Sequence, residues 1–163
     1  MSVVPILKQT DIFVDFSPTQ LALIESICVE QSYGADDVIF EENTDGSELY
    51  VIVEGEVDIQ VDPAMIGRSG AGRPQTIATL RRGQSFGEVA LVDQGLRSAR
   101  ALATQPDTRV LVIPRSKLML MCDSYPQMGY RLMRNLAADL AMKIRHTDLK
   151  VREYLTWIPG SDS

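Results

Sequence analysis

The sequence predicts a mainly β chain: an antiparallel β-barrel or jelly roll with an N-terminal helix, a short helix set between strands, and C-terminal helices. Three observations carry that prediction. Between Asp37 and Ile113, short apolar runs alternate with clusters of Gly, Pro, Asn and Asp, the punctuation of many short strands. Ahead of them, Ser17-Pro18-Thr19-Gln20 has the composition of a helix start. After Pro114 the apolar spacing becomes helical. At 163 residues the chain fits one domain with a full core. Its expected parts are an N-terminal helical part over 6–34, a β-roll over 35–114 and C-terminal helices over 115–158.

In the first part, residues 6–16 are short and mixed and specify no element. Ser17 suits an N-cap, Pro18 the first helical position, and Gln20 the third position of a capping box. Leu21, Leu23, Ile24 and Ile27 follow at helical spacing, and Gly34 offers a stop. A packing helix is expected from Pro18 to near Gln31–Gly34.

The β-roll opens with Val38-Ile39-Phe40. A polar cluster over 41–47 turns the chain into Glu48–Glu54, a strong strand, and Gly55-Glu56 turns it again into Val57–Val61, which alternates apolar and polar. So short a link predicts a hairpin between these two strands. Asp62–Gln75, with Pro63, Gly67, Gly70, Gly72 and Pro74, reads as a surface loop. Its Gly67–Arg73 run lacks the Gly-Lys-Ser/Thr ending and the following helix of a phosphate loop. Thr76–Leu80 is a further strand and Arg81–Gln84 a turn. Ala99–Thr104 and Thr108–Ile113 are the last strands, with Gln105-Pro106-Asp107 turning between them.

In the last part, Arg115–Ser124 forms a short helix that Tyr125-Pro126 breaks, because a residue before proline disfavours the α region. Pro126 starts a long helix running to about Trp157. Met133, Ala137, Leu140, Ile144, Thr147, Val151, Tyr154 and Ile158 follow a seven-residue repeat. The early turns are expected to pack on the barrel and the later ones to meet a second copy. The tail from Pro159 is expected to be disordered.

Composition narrows the functional classes. The formal net charge is −6 and the isoelectric point about 4.8, against the value above ~9 typical of nucleic-acid-binding domains. Binding to DNA is therefore not expected. No stretch approaches the ~20 apolar residues of a membrane span, and the N-terminus lacks the pattern of a signal peptide, so a cytoplasmic protein without membrane contact is expected. Cys28 and Cys122 lie far apart in apolar surroundings and read as free thiols. Catalysis finds no support: His146 is the sole histidine, no cluster has metal-ligand spacing, and no nucleophile has an elbow around it. Arg131, Arg134, Lys143, Arg145, Lys150 and Arg152 read as a solvated helix face.

The stretch that organises the chain is 86–99. Phe86 reads chiefly as core. Gly87 lets backbone approach a ligand. Glu88 accepts hydrogen bonds only, which suits a sugar hydroxyl. Val89-Ala90-Leu91-Val92 is an apolar turn, and Arg97, followed by Ser98 and Ala99, can clamp a phosphate through two parallel hydrogen bonds. From residue types alone this is a pocket for a small phosphorylated sugar.

These residues, together with the glycine-punctuated segment Asp45–Val57, resemble the cyclic nucleotide-binding domain family, which includes the catabolite activator protein and the regulatory subunits of protein kinase A. The resemblance covers nearly the whole chain. Gly83–Leu91 and Arg97-Ser98-Ala99 look like the family's phosphate-binding cassette, and the Glu88-to-Arg97 spacing resembles that of its kinase-type members. The resemblance implies that Arg97 pairs with the cyclic phosphate and that Glu88 holds the ribose 2′-hydroxyl. Backbone at Gly87, Val89 and Ala90 would line the sugar-phosphate, and Ser98 or the Ala99 N–H would add contacts. It implies a regulatory receptor with no cofactor beyond its ligand, cyclic AMP by default. Ser98 keeps cyclic GMP open, and a cyclic dinucleotide stays open too. In the catabolite activator protein, hydroxyls on the long helix meet the purine. Here that stretch corresponds to Lys143-Ile144-Arg145, with Thr147 a turn further on, which puts adenine recognition of that kind in doubt. No room follows the long helix for a helix-turn-helix, so a stand-alone module is expected. Its partners would be the nucleotide, an effector protein and a second copy bound through the long helix. The alternatives are a ligand-free dimerisation or scaffold domain and a fragment of a DNA-binding regulator.

Overall fold

A computed structural model describes residues 2–63, 73–93 and 95–157. Strands from across the chain form two four-stranded antiparallel sheets among the described residues. The first orders β1 (Val29–Tyr33), β8 (Thr108–Pro114), β3 (Glu48–Glu54) and β6 (Ser85–Phe86). The second orders β2 (Val38–Phe40), β7 (Arg100–Ala103), β4 (Glu56–Val61) and β5 (Gln75–Arg81). Helices α1 (Val4–Gln9), α2 (Pro18–Ile27), α4 (Arg115–Ser124) and α5 (Pro126–Trp157) flank the roll, and α3 (Val89–Val92) sits between β6 and β7. The jelly roll is as expected, though helices hold a larger share of the chain than "mainly β" conveys: α5 alone spans 32 residues.

The central strands show why the core divides. Along β3, Leu49, Val51 and Val53 point to one face and Tyr50 and Ile52 to the other, as period-two alternation requires. The first set joins Leu111 and Ile113 of β8 in a core shared with Leu7, Phe13, Ile24, Leu118, Met128, Leu132 and Leu136 of the helical segments. The second set joins Val57, Phe86, Ala101, Val110 and Val112 inside the roll. A strand buried on both faces reads as a continuous apolar run.

Two expectations need correction. The helix begun by Ser17 stops at Ile27, short of Gly34. Its start is as read: Ser17 Oγ accepts from the Gln20 N–H at 3.1 Å, and Gln20 Oε1 accepts from the Ser17 N–H at 2.9 Å. Beyond Ile27 the apolar spacing lapses, Cys28 turns extended, and Val29–Tyr33 gains a full antiparallel ladder on β8, from Val29 opposite Val112 to Tyr33 opposite Thr108. The β-roll therefore begins at Val29. Nor do Glu48–Glu54 and Glu56–Val61 form a hairpin: β3 pairs with β6 and β8, whereas β4 pairs with β5 and β7. Gly55, at φ +93°, swings the chain from one sheet to the other, and a Cβ there would stand 2.4 Å from Thr108 Oγ1.

Within 6–16, where no element was specified, the chain completes α1 and makes a single 3₁₀ turn over Asp11–Phe13. The loop expected over 62–75 links the paired ends Val61 and Gln75; most of it, including the Gly67–Gly72 run, lies outside the described residues, as do Ile158 and the tail from Pro159. The long helix starts at Pro126 and reaches Trp157, about 48 Å at 1.5 Å per residue. Its early turns bury Met128, Leu132, Leu136 and Asp139, and every residue from Ala141 to Trp157 is exposed. No described helix is long and apolar enough to cross a membrane.

Candidate functional site

A cavity of about 700 Å³ opens between the second sheet, the 86–99 stretch and α5. That volume lies within the range of small-molecule pockets. All the residues singled out above, Phe86, Gly87, Glu88, Val89, Ala90, Arg97, Ser98 and Ala99, line it. They are not equivalent. Glu88 and Arg97 are both about 5 % exposed, Val89 and Ser98 are exposed, and Phe86 is core.

Arg97 is held from several sides. Its backbone is stitched to the loop before β3: the Arg97 N–H donates to the Thr44 carbonyl at 2.9 Å, and the Asn43 N–H donates to the Arg97 carbonyl at 2.8 Å. Its guanidinium lies 4.3 Å above the Phe40 ring and 5.7 Å from Tyr50, a cation–π arrangement that suits a desolvated charge. Nη2 donates to the Glu48 carbonyl at 3.0 Å and meets its carboxylate at 3.4 Å, while Nη1 reaches the Gly87 carbonyl at 3.4 Å. Nε has no hydrogen-bond partner among the described residues. A buried guanidinium facing a cavity, with its Nε unspent and its one carboxylate contact long at 3.4 Å, can receive an anion.

Around it, β6 sets Phe86 opposite Tyr50, and their rings stack at 4.9 Å and 7°. Burial, then the nearby Glu48 charge, pushes the Tyr50 hydroxyl up to about 12. Gly87 follows at φ +81°; a Cβ there would stand 3.0 Å from both Arg97 Nη1 and the Glu48 carbonyl. The α3 turn is then closed by its own backbone: the Ala90 N–H donates to the Gly87 carbonyl and the Leu91 N–H to that of Glu88.

Glu88 is where the sequence reading was incomplete. Its carboxylate accepts from Ser85 Oγ at 3.4 Å and forms an ion pair with Lys143 of α5. The same ammonium is 3.0 Å from Asp139 Oδ2, one helical turn earlier. Burial holds the Glu88 carboxyl above its ordinary value, against the pull of Lys143. Burial works to lower the Lys143 ammonium, but the charge and hydrogen bond of Glu88, with Asp139, raise it overall.

Lys143, half exposed to solvent, thus also forms part of the cavity wall. Leu140, His146, Thr147 and Lys150 line the same wall, whereas Ile144 and Arg145 do not. Thr147, one turn beyond the stretch expected to meet the base, lines the cavity, with its hydroxyl donating to the Lys143 carbonyl at 3.0 Å. The signal was present in the sequence: 140, 143, 147 and 150 follow helical spacing, and Asp139-Lys143 is an i, i+4 acid–base pair. Opposite α5, Ile59, Ile77, Ala78 and Leu80 form an apolar wall. Arg115, at the start of α4, ties the site to the helices by donating from Nε to the Leu91 carbonyl at 3.1 Å. Among the described residues there is no group of three or more His, Cys, Asp or Glu placed to hold a metal ion.

The arrangement can therefore hold a compact ligand by an anionic group at Arg97, a hydroxyl donor at Glu88 and a flat apolar group between β5 and α5. Comparison with known proteins points the same way. A family model described as cyclic nucleotide-binding domain matches residues 30–125. The cyclic AMP receptor protein of Thermus thermophilus is 30% identical over 145 residues, 89% of this chain and 62% of that protein. The cGMP-dependent protein kinase 2 of Homo sapiens is 35% identical over 89 residues, 54% of this chain and 11% of the kinase. The chain thus spans less than two thirds of either relative. The crystal structure of a cyclic nucleotide-binding domain from Methylobacillus flagellatus superposes with a TM-score of 0.77 at 26% identity, covering 93% of this chain and 82% of that one.

Proposed function

This chain belongs to the cyclic nucleotide-binding domain family, and on that premise we propose that it is a non-catalytic receptor for a 3′,5′-cyclic nucleotide, cyclic AMP in the first instance. The observation that carries the proposal is the pair of buried charges, Glu88 and Arg97, facing one cavity. Burying each costs free energy that a ligand of matching chemistry would offset.

In this reading Arg97 turns its guanidinium to the cyclic phosphate, and Glu88 accepts from the ribose 2′-hydroxyl. That hydroxyl stays free in a 3′,5′-cyclic nucleotide. Gly87, Val89 and Ala90 bring backbone alongside the sugar-phosphate, and the base lies between Ile77 and Leu80 on one side and Thr147 on the other. Binding then favours the arrangement in which α3, α4 and α5 close over the ligand, a shift of population between states. Two contacts couple α3 to the helices: Arg115 on the Leu91 carbonyl and Lys143 on Glu88. Tyr125-Pro126, between α4 and α5, is the hinge. The moved helical surface recruits or releases an effector protein, and the exposed second half of α5, with Ile144, Val151 and Tyr154, pairs with a second copy.

Cyclic GMP is the second reading, favoured by the donors that His146 and Lys150 bring to the cavity wall. Guanine presents O6 and N7 as acceptors, whereas adenine presents the N6 donor.

Titration calorimetry with cyclic AMP, cyclic GMP and a cyclic dinucleotide tests the proposal. The expected result is saturable heat with a cyclic mononucleotide. A matching rise in melting temperature should appear, worth about 2.7 kcal/mol at a ligand concentration a hundredfold above Kd. A folded protein that gives neither heat nor thermal shift with any of them would leave the scaffold reading in its place.

A further inference from the structure

Asp139 has no role in the binding scheme above, yet it is buried on α5. An ionised carboxylate in such a place needs a partner. Its Oδ2 forms an ion pair with Lys143 Nζ at 3.0 Å and has no hydrogen-bond partner of good geometry among the described residues. The same ammonium pairs with Glu88. One cation is therefore shared by two buried carboxylates, one at the mouth of α3 and one on α5.

The sharing matters because the ribose 2′-hydroxyl and Lys143 want the same acceptor. A lysine with Glu88 as its sole counter-charge would have to be stripped of it whenever a sugar arrived. A lysine with a second carboxylate one helical turn away keeps a partner while Glu88 changes hands. We propose that Asp139 is a positioning residue for ribose recognition: it seats Lys143 so that the ammonium yields Glu88 to the 2′-hydroxyl of the ligand and stays paired in the cavity wall. This rests on the assignment of Glu88 to the ribose.

The test uses the whole chain and two ligands, a cyclic nucleotide and its 2′-deoxy analogue, measured by titration calorimetry. In the wild type the ribose form binds roughly ten- to a hundredfold more tightly, the range for a hydrogen bond to a charged acceptor. In Asp139→Asn the ammonium is left with Glu88 alone, competes harder with the hydroxyl, and the ratio falls at least threefold. In a Lys143→Met background the same substitution leaves the ratio unchanged. A merely structural Asp139 would weaken both ligands alike and keep the ratio; that outcome overturns the inference, as does a fall in ratio that persists without Lys143. Should Asp139→Asn fail to fold, Asp139→Ser carries the same comparison. A wild type that binds neither ligand removes the nucleotide reading itself and this inference with it. A wild type that binds both, with an unmoved ratio in the variant, removes the inference alone.

Discussion

Replacing Gly46 by alanine is expected to disable the site without altering a residue that lines it. Gly46 lies behind Arg97, and a Cβ built there would come within 2.1 Å of Arg97 Nε and 2.7 Å of its Cζ and Nη2. One side must give way. The loop is poorly placed to do so, because it is clamped to the same residue: the Asn43 N–H donates to the Arg97 carbonyl and the Arg97 N–H donates to the Thr44 carbonyl. The guanidinium therefore moves, leaving its bonds to the Glu48 and Gly87 carbonyls and its place over Phe40. Hydrogen bonds to a charged group are worth about 1.5–3 kcal/mol each. Water replaces part of that for the displaced side chain, so the free protein should lose roughly 1–3 kcal/mol. The cost to binding is larger. A phosphate held by two charge-assisted bonds would forfeit both, about 3–6 kcal/mol, or at least a hundredfold in Kd. The assay is calorimetry on wild type, Gly46→Ala, Arg97→Ala and the double variant. If Gly46 acts through Arg97, the double variant should bind no more weakly than Arg97→Ala alone. A Gly46→Ala protein with affinity within threefold of wild type, or additive losses in the double variant, would refute the reasoning.

Three further outcomes are expected. Because burial raises the Glu88 carboxyl from 4.5, the empty folded protein holds that proton more tightly than the unfolded chain does. Stability should therefore decline as pH rises from the ordinary carboxylate value through the raised one, and Glu88→Gln should flatten this part of a urea-denaturation profile; an unchanged slope counts against it. Gly55→Ala combines a φ of +93° with a Cβ 2.8 Å from Thr108 Cα, so it should cost roughly 2–4 kcal/mol in the same denaturation experiment, and a loss under about 0.5 kcal/mol, the range of ordinary surface changes, would count against the crossing at that residue. Ile144→Asp with Val151→Asp, both at exposed positions of α5, should leave a monomer by light scattering if the seam joins two copies; an unaltered mass would exclude that seam.

Much of the fold could be read locally because its signals are local. The Ser17–Gln20 capping box involves a turn of chain, and its two hydrogen bonds form as its spacing requires. The alternation along Val57–Val61, the break at Tyr125-Pro126 and the helix from Pro126 to Trp157 depend likewise on near neighbours. The 86–99 stretch was legible for a related reason: its glycine, carboxylate and arginine lie close in sequence, and the short α3 turn keeps them on one cavity.

What needed tertiary structure were the pairings between distant segments. Val29–Tyr33 could continue a helix or begin a sheet, and the ladder on β8, some eighty residues away, decided it. Glu48–Glu54 and Glu56–Val61 carry hairpin spacing, yet each gains more by joining its own sheet, and the turn at Gly55 lets them part. The local signals at Lys143, its helical spacing with Leu140 and its i, i+4 pair with Asp139, do not say that it meets Glu88. It becomes part of the site because the path of the helix brings it over Glu88, 55 residues earlier, beside a buried Asp139. Residue types and spacing determined where a phosphate and a sugar would be met. Which helix closes over them, and with what charge, follows from long-range packing, where contact energies depend on how the chain returns to itself and not on its order.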